Sequence, residues 1–264
     1  MKKKYKGIIL AGGKGTRLFP TTKYINKHLL NVYDKPMIYY ALSVLFLAEI
    51  KDILIITNKK DIHMFQQLLG DGKKYGANIA FMAQEQPEGI AQALHIGARF
   101  ISNNHIALLL GDNIFFGSNF RQKLNNAINN NTGATIFTYP VANPKQFGIV
   151  EYSKNKIKKI LEKPVSPSSN IAVTGLYFYD NSAIKYSKSL KKSKRGEFEI
   201  TDLNQIYLKL KKLKAVDLDR GFYWNDAGTF NNLLDASNAI KLFQKKHDYI
   251  IGDPGEIAKN NKWI

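Results

Sequence analysis

Four short apolar runs, separated by amphipathic stretches, constrain the fold of this chain more than any other feature. Residues 6–10, 52–57, 78–83 and 105–110 are rich in Ile, Leu and Phe and have the length of buried strands. Between them, residues 37–47, 61–69 and 90–100 place apolar side chains at helical spacing. Strands alternating with helices predict βαβ units with right-handed crossovers. The expected fold is therefore α/β and Rossmann-like, with a mostly parallel central sheet flanked by helices. In such sheets, ligands bind at the carboxyl ends of the strands.

The first apolar run ends at Gly12-Gly13-Lys14-Gly15-Thr16-Arg17-Leu18-Phe19-Pro20. A glycine-rich turn brings backbone N–H groups close to a ligand because no Cβ atoms stand in the way. Arg17 adds a planar fork of donors that suits phosphate oxygens. The spacing excludes the two commonest phosphate loops. A Walker A loop starting at Gly7 would need lysine where Gly13 stands, and a dinucleotide fingerprint on Gly13 and Gly15 would need glycine at Leu18. A third kind of phosphate loop is left.

Composition narrows the partners. The 264 residues suffice for a sizeable core, and no apolar run approaches bilayer-spanning length. Met1-Lys2-Lys3-Lys4 imitates the start of a signal peptide, but the apolar segment behind it stops too soon at Gly12. The absence of cysteine excludes disulfides and thiol catalysis and fits a reducing compartment, with the cytoplasm as default. The net charge of +18 comes from 34 Lys against only 5 Arg. Nucleic-acid grooves favour Arg and cluster their charge, so no nucleic-acid or membrane partner is expected. A basic surface still attracts small polyanions.

After Gly133 the texture changes. Residues 134–139, 148–152, 156–161 and 173–179 are β-rich with turns between them, which predicts an added, partly antiparallel region. Helical patterns return at 200–210 and 230–243. One domain spanning 1–264 is the simplest organisation, with halves at about 5–132 and 133–230 and a helical segment at 231–264.

Two carboxylates stand out. Asp112 follows the fourth apolar run in Gly111-Asp112-Asn113, where a ligand role and a turn or helix N-cap role are equally open. Asp226 lies between a short apolar strand and a helix. Carboxylates from two distant segments could hold one Mg²⁺ together with substrate phosphate oxygens. The five histidines are scattered and form no dyad by spacing.

The glycine loop with Lys27 is similar to that of sugar-nucleotide pyrophosphorylases. Further matching stretches are Tyr33 to Tyr40, Gln66 to Gly72, Gly111-Asp112-Asn113, Glu162-Lys163-Pro164, Val173 to Asp180 and Arg195 to Asp202. Together they closely resemble the glucose-1-phosphate thymidylyltransferases of the sugar nucleotidyltransferase family, from about Lys6 to Trp263. The resemblance implies Mg²⁺-dependent transfer of a thymidylyl group from dTTP to glucose 1-phosphate, with release of pyrophosphate. It implies catalytic roles for Arg17, Lys27, Asp112 and Asp226, with Asp112 and Asp226 as metal ligands. It implies that Gly12, Gly13, Gly15, Thr16, Arg17, Lys27 and Asp112 hold the nucleotide, with Gln84 and Gly89 at its base. Gly148, Glu162, Lys163, Val173 (through its backbone) and Arg195 would hold the sugar phosphate, making residues 133–230 the sugar-binding region. Family members commonly form homo-oligomers, tetramers or dimers, and often extend past the position of Ile264 with a helical segment that builds subunit contacts.

The chain departs from the family pattern at Asn31, Phe147, Asn225 and Ala227. Asn225 would place an amide beside the metal ligand, and Ala227 would remove a hydrogen bond behind it. Two alternatives stay open: the same chemistry with UTP or another sugar phosphate, and a catalytically silent sugar-nucleotide-binding protein.

Overall fold

The computed structural model describes residues 3–264, so Met1 and Lys2 of the basic start lie outside the described residues. The strands in chain order are β1 (Tyr5–Ala11), β2 (Asn31–Val32), β3 (Lys35–Pro36), β4 (Asp52–Thr57), β5 (Asn78–Ala83), β6 (His105–Leu110) and β7 (Asn113–Gly117). There follow β8 (Ala134–Pro140), β9 (Gly148–Ser153), β10 (Lys156–Glu162), β11 (Ile171–Tyr179), β12 (Leu213–Asp217) and β13 (Phe222–Asp226). The helices are α1 (Met37–Leu47), α2 (Ile62–Leu69), α3 (Gln92–Ile96), α4 (Ala98–Ile101) and α5 (Phe120–Asn130). They continue as α6 (Ser182–Lys188), α7 (Ile200–Lys209), α8 (Phe230–His247) and α9 (Pro254–Asn260). No helix among them is long and apolar enough to cross a membrane.

The chain divides into two compact bodies, each assembled from separated segments. The first comprises Lys6–Pro87, Leu109–Arg121 and Gly221–Ile264. The second comprises Glu88–Leu108, Gln122–Arg220 and the described N-terminus up to Tyr5.

In the first body β4 lies between β1 and β5, parallel to both, and Ala11 is level with Thr57 and Thr57 with Ala83. Ile53, Leu54, Ile55 and Ile56 are all fully buried, as expected of a continuous apolar strand covered on both faces. Helix α1 is apolar around most of its circumference, the mark of an interior helix. It presses so closely on β1 that a Cβ on Gly7 would stand 2.6 Å from Leu45 Cδ1. The antiparallel pair β7–β13 sets Asp226 opposite Asn113. Its inner face joins Val32, Met37, Tyr40, Ala227, Ala236 and Ile240 in one apolar cluster. Tyr40 fits there because its hydroxyl donates to the Val32 carbonyl at 2.7 Å.

The second body is β-rich and largely antiparallel. Strand β8 pairs antiparallel with β11 and parallel with β12, and β9–β10 form a hairpin that sets Glu162 opposite Gly148. Ala172 of β11 is level with Ile149 of β9. Tyr179 and Phe178 are core residues, fully buried. From Ala134 onward the strands β8 to β12 pair antiparallel among themselves, apart from β8 with β12. One helix expected over residues 90–100 is instead two short ones, α3 and α4, separated at Gly97, where glycine weakens the helical backbone.

Tyr40→Phe leaves the Val32 carbonyl buried without its hydroxyl donor. It should cost about 1 kcal/mol and lower the melting temperature by about 2–4 °C. A melting curve superimposable on the parent's would show that this bond contributes nothing.

Candidate active site

The glycine loop leaves β1 at Ala11 and closes into a 3₁₀ turn over Thr16–Leu18. Gly15 stands before that turn at φ +64°, a left-handed conformation that favours glycine, and its carbonyl accepts from Thr22 Oγ1 at 2.8 Å. Gly12 leaves no room for a Cβ because the Gln84 side chain lies against it. A Cβ on Gly13 would make only ordinary contact with Lys27, 3.7 Å from Cε. The loop therefore has Gln84 on one side and Lys27 on the other.

Lys27 is a buried lysine, against the usual exposure of this residue type. Its Nζ is ion-paired with Asp112 Oδ2, and the two side chains are only 10 % and 13 % exposed. Asn26 fixes the segment, since its side-chain carbonyl accepts from His28 N at 3.0 Å and caps the 3₁₀ turn Lys27–Leu29. Asn26 Nδ2 donates to the Ala11 carbonyl at 3.1 Å and to Asp61 Oδ2 at 2.9 Å. One amide thus ties the lysine-bearing turn to the end of β1. His28 Nδ1 lies 2.7 Å from the same Asn26 oxygen, which only accepts, so Nδ1 carries the proton. Burial, reinforced by the Lys27 charge, pushes the His28 imidazole down to about 3, so it is neutral at physiological pH. A Cβ on Gly111 would stand 2.7 Å from His28 Cδ2.

Asp112 lies between two strands, so the helix N-cap alternative drops out. Burial acts to raise the Asp112 carboxyl. The charge and hydrogen bond of Lys27, together with the neighbouring His28 and a hydrogen bond from Asn113 Nδ2 at 3.1 Å, outweigh it, and the carboxyl is held well below the usual range. Asn113 is itself oriented by Trp224 Nε1, which donates to its Oδ1 at 2.7 Å.

Asp226 arrives beside Asp112 through the β7–β13 ladder, which continues as Ala227 N donating to the Asp112 carbonyl at 2.9 Å. Its Oδ1 accepts from Gly228 N at 3.0 Å, and its Oδ2 lies 3.9 Å from Arg17 Nη2. Arg17 is 58 % exposed and Asp226 22 %, so this pair is loose and wet compared with Lys27–Asp112. Burial and the neighbouring Asp112 charge push the Asp226 carboxyl up to about 6, with Lys27 and Arg17 opposing. Asn225 turns its amide to the Tyr223 hydroxyl at 2.9 Å, a residue of the same strand face, and Ala227 is fully buried in the apolar cluster. Asn225 and Ala227 thus take part in packing and strand contacts. The first body brings together Gly12, Gly13, Gly15, Thr16, Arg17, Lys27, Gln84, Asp112 and Asp226.

The second body gathers a different set. A Cβ on Gly148 would lie 3.4 Å from Glu162 Oε2 and 3.9 Å from Val173 Cβ. Glu162 Oε2 accepts from Thr201 Oγ1 at 2.5 Å, and its Oε1 lies 3.3 Å from Arg195 Nη1. Arg195 also meets Glu197 at 3.0 Å and Glu199 at 3.5 Å. Lys163 is exposed at φ +40°, its N–H donating to the Phe147 carbonyl at 3.1 Å. Gly89, at φ +104°, packs against the Phe198 backbone, where a Cβ would meet the carbonyl oxygen at 2.5 Å. Sequence reasoning missed Asn26 and Thr201. An asparagine directly before a basic, turn-forming segment is the one local signal that pointed to Asn26.

A strand, glycine loop and buried lysine facing paired carboxylates define a nucleotidyl transfer fold, and the chain belongs to the Nucleotidyl transferase family, matched over residues 6–242. Within that family it is 51 % identical over 260 residues to the glucose-1-phosphate thymidylyltransferase of Neisseria meningitidis, covering 98 % of this chain and 90 % of the relative. It is 50 % identical over 254 residues to the enzyme of the same name from Mycolicibacterium smegmatis, covering 96 % and 88 %. A Bacillus anthracis crystal structure in complex with a sucrose superimposes with TM-score 0.83 at 42 % identity, covering 89 % of this chain and 94 % of that one.

The Asp226 shift sets a pH dependence. Its folded value, about 6, lies above the ordinary carboxylate value, so the folded protein holds this proton more tightly than the unfolded chain. Stability from this group is full below about pH 4 and is lost as pH rises through about 6. In chelator-treated protein, Asp226→Asn should therefore raise stability by about 1–2 kcal/mol at pH 8, with the gain vanishing near pH 4. Thermal melts of both proteins across this range check it, and a gain independent of pH would refute it.

Proposed function

We propose that this protein transfers a thymidylyl group from dTTP to glucose 1-phosphate, releasing pyrophosphate. The observation that carries the reading is the convergence of Asp112, Asp226, Lys27 and Arg17 on one glycine loop, in a chain half identical to thymidylyltransferases. An oxygen of the sugar phosphate forms a bond to the α-phosphorus as the bond from that phosphorus to the β-phosphate bridging oxygen breaks. Pyrophosphate departs with the electron pair. The nucleophile needs no general base, because the second phosphate pKa is about 6. The requirement is alignment of two polyanions and relief of charge.

Asp112 and Asp226 are hard oxygen donors from neighbouring backbone positions, and two carboxylates leave coordination positions for phosphate oxygens, a donor set that fits Mg²⁺. When bound, Mg²⁺ neutralises charge on the α-phosphate and the leaving group. The loop from Gly12 to Thr16 cradles the triphosphate with backbone N–H groups. Lys27, held by Asn26 at a fixed depth, faces the α-phosphate. Exposed Arg17 follows the charge onto the departing pyrophosphate. Gln84 reads the pyrimidine. In the second body Glu162, kept in place by Thr201, accepts from sugar hydroxyls beside Gly148 and the Val173 backbone. Lys163 and Arg195 take the sugar phosphate. Arg195 is paired with Glu162, Glu197 and Glu199, so it takes a phosphate only by giving up part of that company. The reading includes a cytoplasmic setting, supported by the absence of cysteine.

Purified protein with Mg²⁺, dTTP and glucose 1-phosphate should release pyrophosphate, at a higher rate than with UTP. Absence of release under these conditions would overturn the reading. Asp112→Asn and Asp226→Asn should each lower turnover at least ~100-fold with circular dichroism unchanged. Arg195→Ala should raise KM for glucose 1-phosphate about tenfold or more and leave KM for dTTP near the parental value.

A further inference from the structure

Arg195 stands in a tight turn of the second body whose shape Ser193 fixes. Ser193 N donates to the Glu197 carbonyl at 2.9 Å, and the Ser193 carbonyl accepts from Gly196 N at 2.9 Å. The Ser193 hydroxyl accepts from Arg195 N at 3.1 Å and donates to Glu199 Oε1 at 2.7 Å. The guanidinium is shared among three carboxylates, Nη2 with Glu197 at 3.0 Å and Nη1 with Glu162 at 3.3 Å and Glu199 at 3.5 Å. One positive charge among three negative ones repels a phosphate, so a carboxylate has to leave when a phosphate arrives.

The three carboxylates are held unequally. Glu162 is bonded by Thr201 Oγ1, and Glu199, with a side chain only 9 % exposed, is bonded by Ser193 Oγ. The Glu197 side chain is 36 % exposed, and among the described residues its carboxylate has no partner but Arg195. The bond from Ser193 N holds only the Glu197 backbone. Glu197 can therefore turn out to water with the loss of a single contact, an exposed ion pair of modest strength.

We propose that the Glu197 carboxylate occupies the phosphate position on Arg195 Nη2 while the sugar site is empty, and that the sugar phosphate displaces it. The proposal rests on the reading of Arg195 as a sugar-phosphate contact and adds the residue that sets the affinity of that contact. Displacement costs the same for every anion that Arg195 takes. A sugar phosphate offsets that cost through hydroxyl contacts at Glu162, Gly148 and the Val173 backbone. Inorganic phosphate has no such contacts. Glu197 thus keeps small anions off Arg195, and the sugar phosphate binds more weakly than an unpaired arginine would allow.

The test is a double-mutant cycle of parent, Glu197→Gln, Arg195→Ala and the double variant, read by isothermal titration with glucose 1-phosphate. Glu197→Gln keeps the size of the side chain and the backbone bonds of the turn, and should tighten binding about threefold, as expected for removal of an exposed ion pair. In turnover, its KM for glucose 1-phosphate should fall by about the same factor, with KM for dTTP within about twofold of the parent. Inorganic phosphate should inhibit it about threefold more strongly. In the Arg195→Ala background the same substitution should change affinity by less than about 1.5-fold. A damaged fold weakens binding, so tightening cannot arise from misfolding. Unchanged or weaker binding in Glu197→Gln, beside a clear loss in Arg195→Ala, would overturn the proposal alone. An equal gain with and without Arg195 would reduce the effect to general charge repulsion and overturn it too. Arg195→Ala that binds glucose 1-phosphate as tightly as the parent would remove the sugar-phosphate reading of Arg195 and the proposal with it.

Discussion

Two carboxylates held side by side and partly out of water repel each other, and the arrangement of the first body follows from relieving that repulsion. Asp112 is relieved by a buried lysine, Asp226 only by an exposed arginine and one backbone N–H. The asymmetry divides the pair. One carboxylate stays ionised and the other is pushed up to about 6. A buried ion pair such as Lys27–Asp112 is weak evidence for stability, since desolvation offsets much of its attraction. Its worth is positional. It keeps a cation and an anion at defined points, where the proposed reaction calls for a phosphate and a divalent ion.

The scaffold that achieves this is made of amides. Asn26 holds the lysine-bearing turn against the end of β1, and Asn113 holds Asp112 while being held by Trp224. Neutral His28 fills the space beneath Gly111 without adding charge. Each of these groups is buried and bonded, so the charged side chains stand on positions that cannot drift. The second body uses the same device once more, with Thr201 fixing Glu162 beside Gly148.

Much of this was legible in the sequence, for physical reasons. Buried strands read as continuous apolar runs, so β1, β4 and β6 could be placed within a residue or so, whereas β5, expected to be buried as well, is placed correctly but has only Ile79 buried. Glycine at a left-handed position and a carboxylate after a strand announce themselves locally, which is why the loop and Asp112 stood out. Lys27 did not, because a lysine's burial depends on a partner 85 residues away. Its role was implied by resemblance alone. Strand β7 escaped notice because its run of apolar residues directly follows the Asp112 turn, and only pairing with β13 makes it a strand. Asn26 and Thr201 act through distant partners, a relation that spacing along the chain does not carry. Asn225 read as a neighbour of the metal ligand, yet strand alternation turns it toward Tyr223.

The central claim is that Asp112 and Asp226 form one electrostatic unit, and carbon-13 NMR titration of the side-chain carboxyls in metal-free protein tests it most directly. Asp226 should titrate near 6 in the parent and fall toward the ordinary carboxylate range in Asp112→Asn, where the neighbouring charge is gone. An Asp226 carboxyl that titrates near 4 in the parent, or that is indifferent to the loss of the Asp112 charge, would contradict the account.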